Sequence, residues 1–252
     1  GDIAIPEQLN GMAVAAIADE AFLGASGLVS VHIPATVTNI GASAFAYCPL
    51  LMTFTVDSAN SAYQSLDGVL FSLDGTVLAQ YPVGRGGVYT LPEGVATIAA
   101  GAFAGADGLT SVIVPTSTTA IGDGAFASCA NLAAVYFRGD APTTGEDVFG
   151  KVLGIVYYPP TASGWGATFG GLDAFAWNAA VEAGAGFGMQ GGVFGFNVVG
   201  SSGMVVIVEA ADDLTSPAWT PVSTQTLSNG SAPFEDPGSV DKPSRFYRLR
   251  MP

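Results

Sequence analysis

The 252-residue chain has only two cysteines, one histidine and seven lysines and arginines, and each scarcity closes off a class of function. Cys48 and Cys129 are too few for a disulfide framework and have no partners at metal-ligand spacing, so no metal or other cofactor is expected. A Ser-His-Asp or Cys-His arrangement would have to pass through His32. Lys151, Lys242 and five arginines face 21 carboxylates, a net charge of −14. Nucleic-acid affinity depends on clustered basic residues that release counterions, and this chain has no such cluster; anionic headgroups are disfavoured for the same reason. No run of about 18 apolar residues is present, which excludes insertion into a membrane as a helix. The opening Gly1-Asp2-Ile3-Ala4-Ile5-Pro6 lacks the regions of an export signal and fits a mature fragment whose signal was trimmed. No Gly-Lys-Ser/Thr occurs, so the many glycines belong to turns rather than to a nucleotide loop.

What the chain does have is 49% hydrophobic residues, enough for a large core, and an internal repeat. Phe22, Phe45, Phe103, Phe126 and Phe149 lie at intervals of 23, 58, 23 and 23 residues. In the four fullest copies Ile17, Ile40, Ile98 and Ile121 stand five residues before the Phe, with Ala directly before it. A small residue follows at +3 (Ala25, Cys48, Ala106, Cys129) and a leucine at +6 (Leu28, Leu51, Leu109, Leu132). Apolar residues then alternate at +9 and +11: Val31/Ile33, Phe54/Val56, Val112/Val114 and Val135/Phe137. That alternation is strand periodicity, so each copy carries one short strand with two side chains pointing inward. The Ala-Phe pair then sits in an irregular or short helical turn with one large anchor. A single copy buries little, and stacking makes the columns continuous.

The runs from Ile33 to Val56 and from Leu91 to Pro115 resemble the BspA-like leucine-rich repeats of bacterial surface proteins. The resemblance covers about residues 1–180. It implies a mainly β leucine-rich-repeat solenoid over residues 1–183, with a β-hairpin insertion at about 58–87 carrying Asp67-Gly68 and Asp74-Gly75. The second Asp-Gly pair, between two apolar runs, is a hairpin signal in its own right. A closing segment at about 159–180, with Trp165, Phe169 and Trp177, is expected to cover the open end. The register is lost at Gly184. Residues 184–252 then read as a small all-β C-terminal sandwich, from Phe194–Val199, Met204–Ala210, Trp219–Leu227 and Phe246–Leu249. This module is similar to short C-terminal modules on secreted proteins of the Planctomycetes, Verrucomicrobia and Lentisphaerae group. Arg245, Arg248 and Arg250 on its last strand are expected to pair with strand-borne carboxylates.

Candidate chemistry is sparse. His32 lies between Val31 and Ile33 and so points outward, which makes it a surface residue rather than a catalytic one. Cys48 and Cys129 fill a position that alanine fills elsewhere and read as separate buried thiols. The acidic pairs Asp19-Glu20, Glu146-Asp147 and Asp212-Asp213 invite a calcium or glycosidase reading, but adjacent carboxylates on loops usually serve only to solvate them, and no EF-hand series surrounds these. The feature that points to function is the residue between the two inward strand positions in successive rungs: His32, Thr55, Thr90, Ile113, Tyr136 and Tyr157. This uncharged stripe suits a contact surface, although sheet surfaces also accept Thr, Ile and Tyr because those residues fit strands. The expectation is a non-catalytic, secreted or cell-surface recognition or adhesion protein that binds an extracellular protein or glycan through this stripe. The alternative is a structural envelope protein whose repeats space or assemble neighbours.

Overall fold

The computed structural model describes residues 1–184, 186–240 and 242–252. They form two compact units, Gly1–Phe175 and Ala176–Pro252.

The first unit is a β-solenoid. Its main parallel ladder runs in two blocks. Asp2–Ala4, Ser30–Ile33 and Thr53–Val56 make the first. Gly87–Thr90, Leu109–Val114, Ala134–Phe137 and Ile155–Tyr158 make the second. The register pairs residues 23 apart, His32 with Thr55 and Ile113 with Tyr136, so the sequence period is the rung period. A second ladder is built from two-residue strands around the repeated isoleucines, Ala16–Ile17 beside Asn39–Ile40 and Thr97–Ile98 beside Ala120–Ile121. Val31, Phe54, Val112, Val135, the leucines and the anchoring phenylalanines fill the interior between the ladders.

Among the described residues the first unit has no α-helix, and the reason lies in the turn around each phenylalanine. The residues two before and two after it are left-handed in every rung: Glu20 and Gly24, Ser43 and Tyr47, Gly101 and Gly105, Gly124 and Ser128, Asp147 and Lys151. A left-handed residue on either side stops a right-handed helix from propagating. It also aims alternate N–H groups at the next rung: Gly101, Phe103 and Gly105 donate to the carbonyls of Asp123, Ala125 and Ala127 at 2.7–2.9 Å. Gly124, Phe126 and Ser128 repeat the strap onto Glu146, Val148 and Gly150. The rungs therefore approach closely enough to stack the rings, Phe103 on Phe126 at 4.8 Å and Phe126 on Phe149 at 5.2 Å.

The insertion is a three-stranded meander rather than one hairpin. Asp67-Gly68, both at positive φ, closes Tyr63–Leu66 against Val69–Ser72. The second turn is held by the Asp74 carboxylate, which accepts from Ser72 Oγ, Thr76 N–H and Thr76 Oγ. Val77–Gln80 then pairs antiparallel with Val69–Ser72 and parallel with Thr97–Ile98, so Leu78 stands opposite Ile98 in the isoleucine ladder. Tyr81 takes a phenylalanine's place: it stacks on Phe103 at 4.9 Å and donates its N–H to Ala102.

Trp165 and Phe169 close the far end. Trp165 stacks on Tyr158 at 4.7 Å, packs on Phe137, and donates Nε1–H to Gly139 O. Trp177, expected in the same cap, belongs to the second unit. The expected division at 184 falls inside that unit because Ala180–Glu182 pairs with Val193–Val199 there.

The second unit holds two antiparallel sheets. One sets Val193–Val199 between Ser231–Asp236 on one edge and Ala180–Glu182 with Gly188–Gln190 on the other. The other sets Val205–Ala211 between Thr220–Thr226 and Phe246–Arg250. Phe194, Phe196 and Phe234 of the first sheet pack on Tyr247 of the second. The strand Ser231–Asp236 was not anticipated. Its Pro233 argues against a central strand, but an edge strand tolerates it, and Ala232, Phe234 and Asp236 alternate inward.

The three arginines in and just before the last strand, expected together on it, all pair with carboxylates. Buried Glu209 accepts from Arg248 and Arg250, and buried Asp236 accepts from Arg245 and the Tyr247 hydroxyl. Burial alone would raise the Glu209 carboxyl, but hydrogen bonds from Arg250 and Arg248 and their charges outweigh it, leaving the group below its ordinary 4.5. A folded-state pKa below the unfolded one gives stability that is present above 4.5 and is lost as pH falls through the lower, folded value. Glu209→Gln should therefore cost about 2 kcal/mol near neutral pH, less than a fully buried pair because both arginines are partly exposed. Amide exchange of Val205–Ala211 reads this, and the difference from wild type should shrink in acid.

Candidate functional site: the outward sheet face

Side chains in a strand alternate faces, and an in-register parallel ladder converts that alternation into columns. Opposite the packed interior, one column runs through Ala4, His32 and Thr55 and, past the break between the two blocks, through Thr90, Ile113, Tyr136 and Tyr157. A second runs through Asp2, Ser30 and Thr53, then Val88, Ser111, Ala134 and Ile155. The six residues of the sequence stripe thus share one face.

They do not share one environment. His32 is half-buried, Thr55 and Thr90 are exposed, and the first block carries small polar contacts: Ser30 Oγ donates to Asp2 at 2.7 Å, and His32 Nδ1 lies 3.0 Å from Thr55 Oγ1. Ile113, Tyr136 and Tyr157 are 4%, 0% and 1% exposed, and none belongs to the solenoid's interior cluster. The tyrosine rings stack on each other at 5.2 Å, and burial pushes the Tyr157 hydroxyl up. The expectation that the whole stripe forms an accessible contact surface is therefore corrected for Ile113, Tyr136 and Tyr157. Alternation reports which residues share a face but not whether that face meets water, and parallel sheets are commonly covered on both sides. The unbroken apolar runs Ala134-Val135-Tyr136-Phe137 and Ile155-Val156-Tyr157-Tyr158 carried that signal, in contrast to the polar alternation of Thr53-Phe54-Thr55-Val56.

The remaining candidates resolve into structural roles. The Cys48 and Cys129 thiols are buried and donate to the carbonyls of Phe22 and Phe103 on the preceding rungs. Burial pushes the Cys129 thiol up to about 12 and raises Cys48 as well, so neither is a thiolate nucleophile near neutral pH. The carboxylates of Asp19, Asp107, Asp123 and Asp140 each accept an N–H from the residue 23 positions on: Ala42, Ala130, Glu146 and Ser163. Asp212 pairs with Lys242 and Arg245, while Asp213 caps Thr215. Among the described residues no three His, Cys, Asp or Glu side chains gather as metal ligands, and no helix is long and apolar enough to cross a membrane.

One residue escaped the sequence reading. Half-buried Arg85 reaches across the break between the two sheet blocks, donating Nε–H to Met52 O at 2.6 Å and Nη1–H to Asp67 O at 2.7 Å. No motif marks it, because its position depends on the path of the insertion.

Residues 3–72 and 88–158, together more than half of the chain, match the BspA type leucine rich repeat region in six copies. The chain belongs to the BspA-type leucine-rich-repeat family. Among solved structures, a leucine-rich repeat protein from Eubacterium ventriosum is 23% identical over 64% of this chain and 42% of its own, with a TM-score of 0.55. A leucine rich cell surface protein from Faecalibacterium prausnitzii is 27% identical over 64% of this chain and 54% of its own, at 0.48. A leucine-rich-repeat protein from Treponema pallidum is 23% identical over 62% and 57%, at 0.29. This BspA-type chain thus spans about half the length of the structures it matches. No curated protein matches it. The family match ends at residue 158 and does not extend to the second unit.

Proposed function

We propose that the protein is a non-catalytic recognition or adhesion protein, secreted or held at the cell surface, which binds an extracellular protein or glycan through the outward face of its parallel sheet. One observation carries the reading: side chains 23 residues apart in sequence are brought into register on a single face whose two columns hold one carboxylate, Asp2, and no lysine or arginine. The accessible part is His32, Thr55 and Thr90, with Ser30 and Thr53 beside them. Ile113, Tyr136 and Tyr157 continue the column but are buried and lie outside that accessible part. Family membership supports the placement outside the cell, since BspA-type repeats are carried by surface proteins. Within the acidic pairs, Asp19 caps the next rung, Asp212 is an ion-pair partner and Asp213 caps Thr215, which argues against a glycosidase or calcium role for those three.

The test is a screen of the full chain against immobilised extracellular-matrix and host-surface proteins and a glycan array, run beside sedimentation over a hundredfold concentration range. Saturable binding by a monomer is the expected result. Concentration-dependent self-association with no ligand captured would overturn it in favour of a structural envelope role.

A further inference from the structure

The break between the two sheet blocks leaves one strand edge open in the middle of the solenoid. Gly87–Thr90 has a neighbour on one side only, Leu109–Val114. Gly87 N–H donates to Gly108 O and Leu91 N–H to Ile113 O, so by alternation Val88 and Thr90 turn their main-chain groups the other way. No hydrogen bond from any described residue reaches them. Gly86, Gly87 and Thr90 are exposed, and the Val88 side chain is 63% exposed. Natural sheets usually cover, shorten or charge such an edge.

The facing strand does not close the gap, because the insertion has already satisfied it. Phe54 N–H donates to Gly68 O at 2.9 Å, Ser65 Oγ donates to Phe54 O, and Gly84 N–H donates to Leu51 O. Arg85 completes the arrangement. Its two anchors are main-chain carbonyls, which leaves three of its five N–H donors uncommitted. Its Nη2 lies beside Thr53 Oγ1 over Gly68, where a side chain would collide with both. The other four arginines each contact a carboxylate, whereas among the described residues Arg85 contacts none. A fixed guanidinium with free donors, next to an open strand edge, matches a ligand that brings both an extended backbone and a carboxylate.

We propose that the Gly87–Thr90 edge takes up an extended acidic peptide segment of a partner protein as an added strand. The peptide's main chain pairs with Val88 and Thr90, and a Glu or Asp side chain binds Arg85. This gives the sheet-face reading a ligand class and depends on that reading being right. Main-chain pairing supplies affinity in such complexes, and the side-chain contact supplies selectivity.

The probe is an N-acetylated, C-amidated octapeptide of alternating threonine and valine with one central glutamate, titrated into the full chain. Its Gln counterpart is titrated in parallel, and amide hydrogen exchange is followed at each residue. Slowed exchange at Val88 and Thr90, with binding about fivefold weaker for the Gln peptide, is expected for one partly exposed ion pair. Val88→Pro, which removes the N–H on the open edge, should abolish the peptide effect while the melting temperature stays within a few degrees. Undiminished binding to V88P, protection elsewhere, or no binding at millimolar peptide would each overturn the inference. If the chain captures ligands in the screen but not this peptide, only the strand-addition proposal fails. If it captures none in either assay, the recognition reading fails with it.

Discussion

Gly122→Ala should lower the stability of the solenoid by about 3 kcal/mol, the upper part of the range for overpacked interiors. A Cβ on Gly122 would lie 2.5 Å from the backbone nitrogen of Ala100 and 2.8 Å from its Cα. Those atoms belong to the preceding rung, tied to this one by the paired strands Thr97–Ile98 and Ala120–Ile121 and by Gly122 N–H donating to Ile98 O. Neither backbone can retreat without breaking that ladder. Gly124→Ala is the control. Gly124 is left-handed, but the nearest atom to an added Cβ is Ala127 Cβ at 3.7 Å, so it should cost only about 1 kcal/mol, the price of a left-handed L-residue. Urea melts of the two variants should differ by about 2 kcal/mol. Equal losses would mean that rung spacing is not what requires glycine at 122.

Phe126→Ala should cost about 4 kcal/mol, as large-to-small changes at fully buried aromatic sites do. Phe126 is 0% exposed and holds the centre of a stack, with Phe103 on one side and Phe149 on the other. Its removal opens two contacts at once. Because each rung meets only its neighbours, the loss should be local. Hydrogen exchange should accelerate at Phe103, Phe126 and the adjoining straps while the Ser30–Ile33 strand keeps its protection. Uniform acceleration over the whole solenoid would show that it unfolds as one cooperative block.

Much of this architecture is written in the sequence because the rung period and the residue period coincide. The Ile, Phe, Leu and Val columns read from spacing are the columns of the core, and the strands fall at the +9 and +11 positions. The pairing of Arg248 and Arg250 with Glu209 also followed from their placement on one strand beside that carboxylate, whereas Arg245 stands just before the strand and reaches Asp236 of the other sheet. What was not legible depends on information other than period. The left-handed turn positions are filled by Glu20, Ser43, Tyr47, Ser128, Asp147 and Lys151 as well as by glycine, so composition does not reveal them. The return of Val77–Gln80 into the isoleucine ladder uses Leu78 and Tyr81 in place of isoleucine and phenylalanine. Of the outward stripe, alternation gave the positions but not the exposure, which only the unbroken apolar runs at Ala134–Phe137 and Ile155–Tyr158 signalled. The open edge at Val88 and Thr90 could not be read at all, since it exists only because the insertion occupies the far side of Thr53–Val56.

The most direct measurement is the affinity of a Thr55→Lys/Thr90→Lys double variant for a ligand captured by the wild-type chain. Both side chains are exposed on strands and can carry a lysine without touching the core. Loss of binding by at least tenfold, with an unchanged melting temperature, is the result expected if the outward sheet face is the recognition surface. Binding with wild-type affinity would contradict it and move recognition to another surface of the chain.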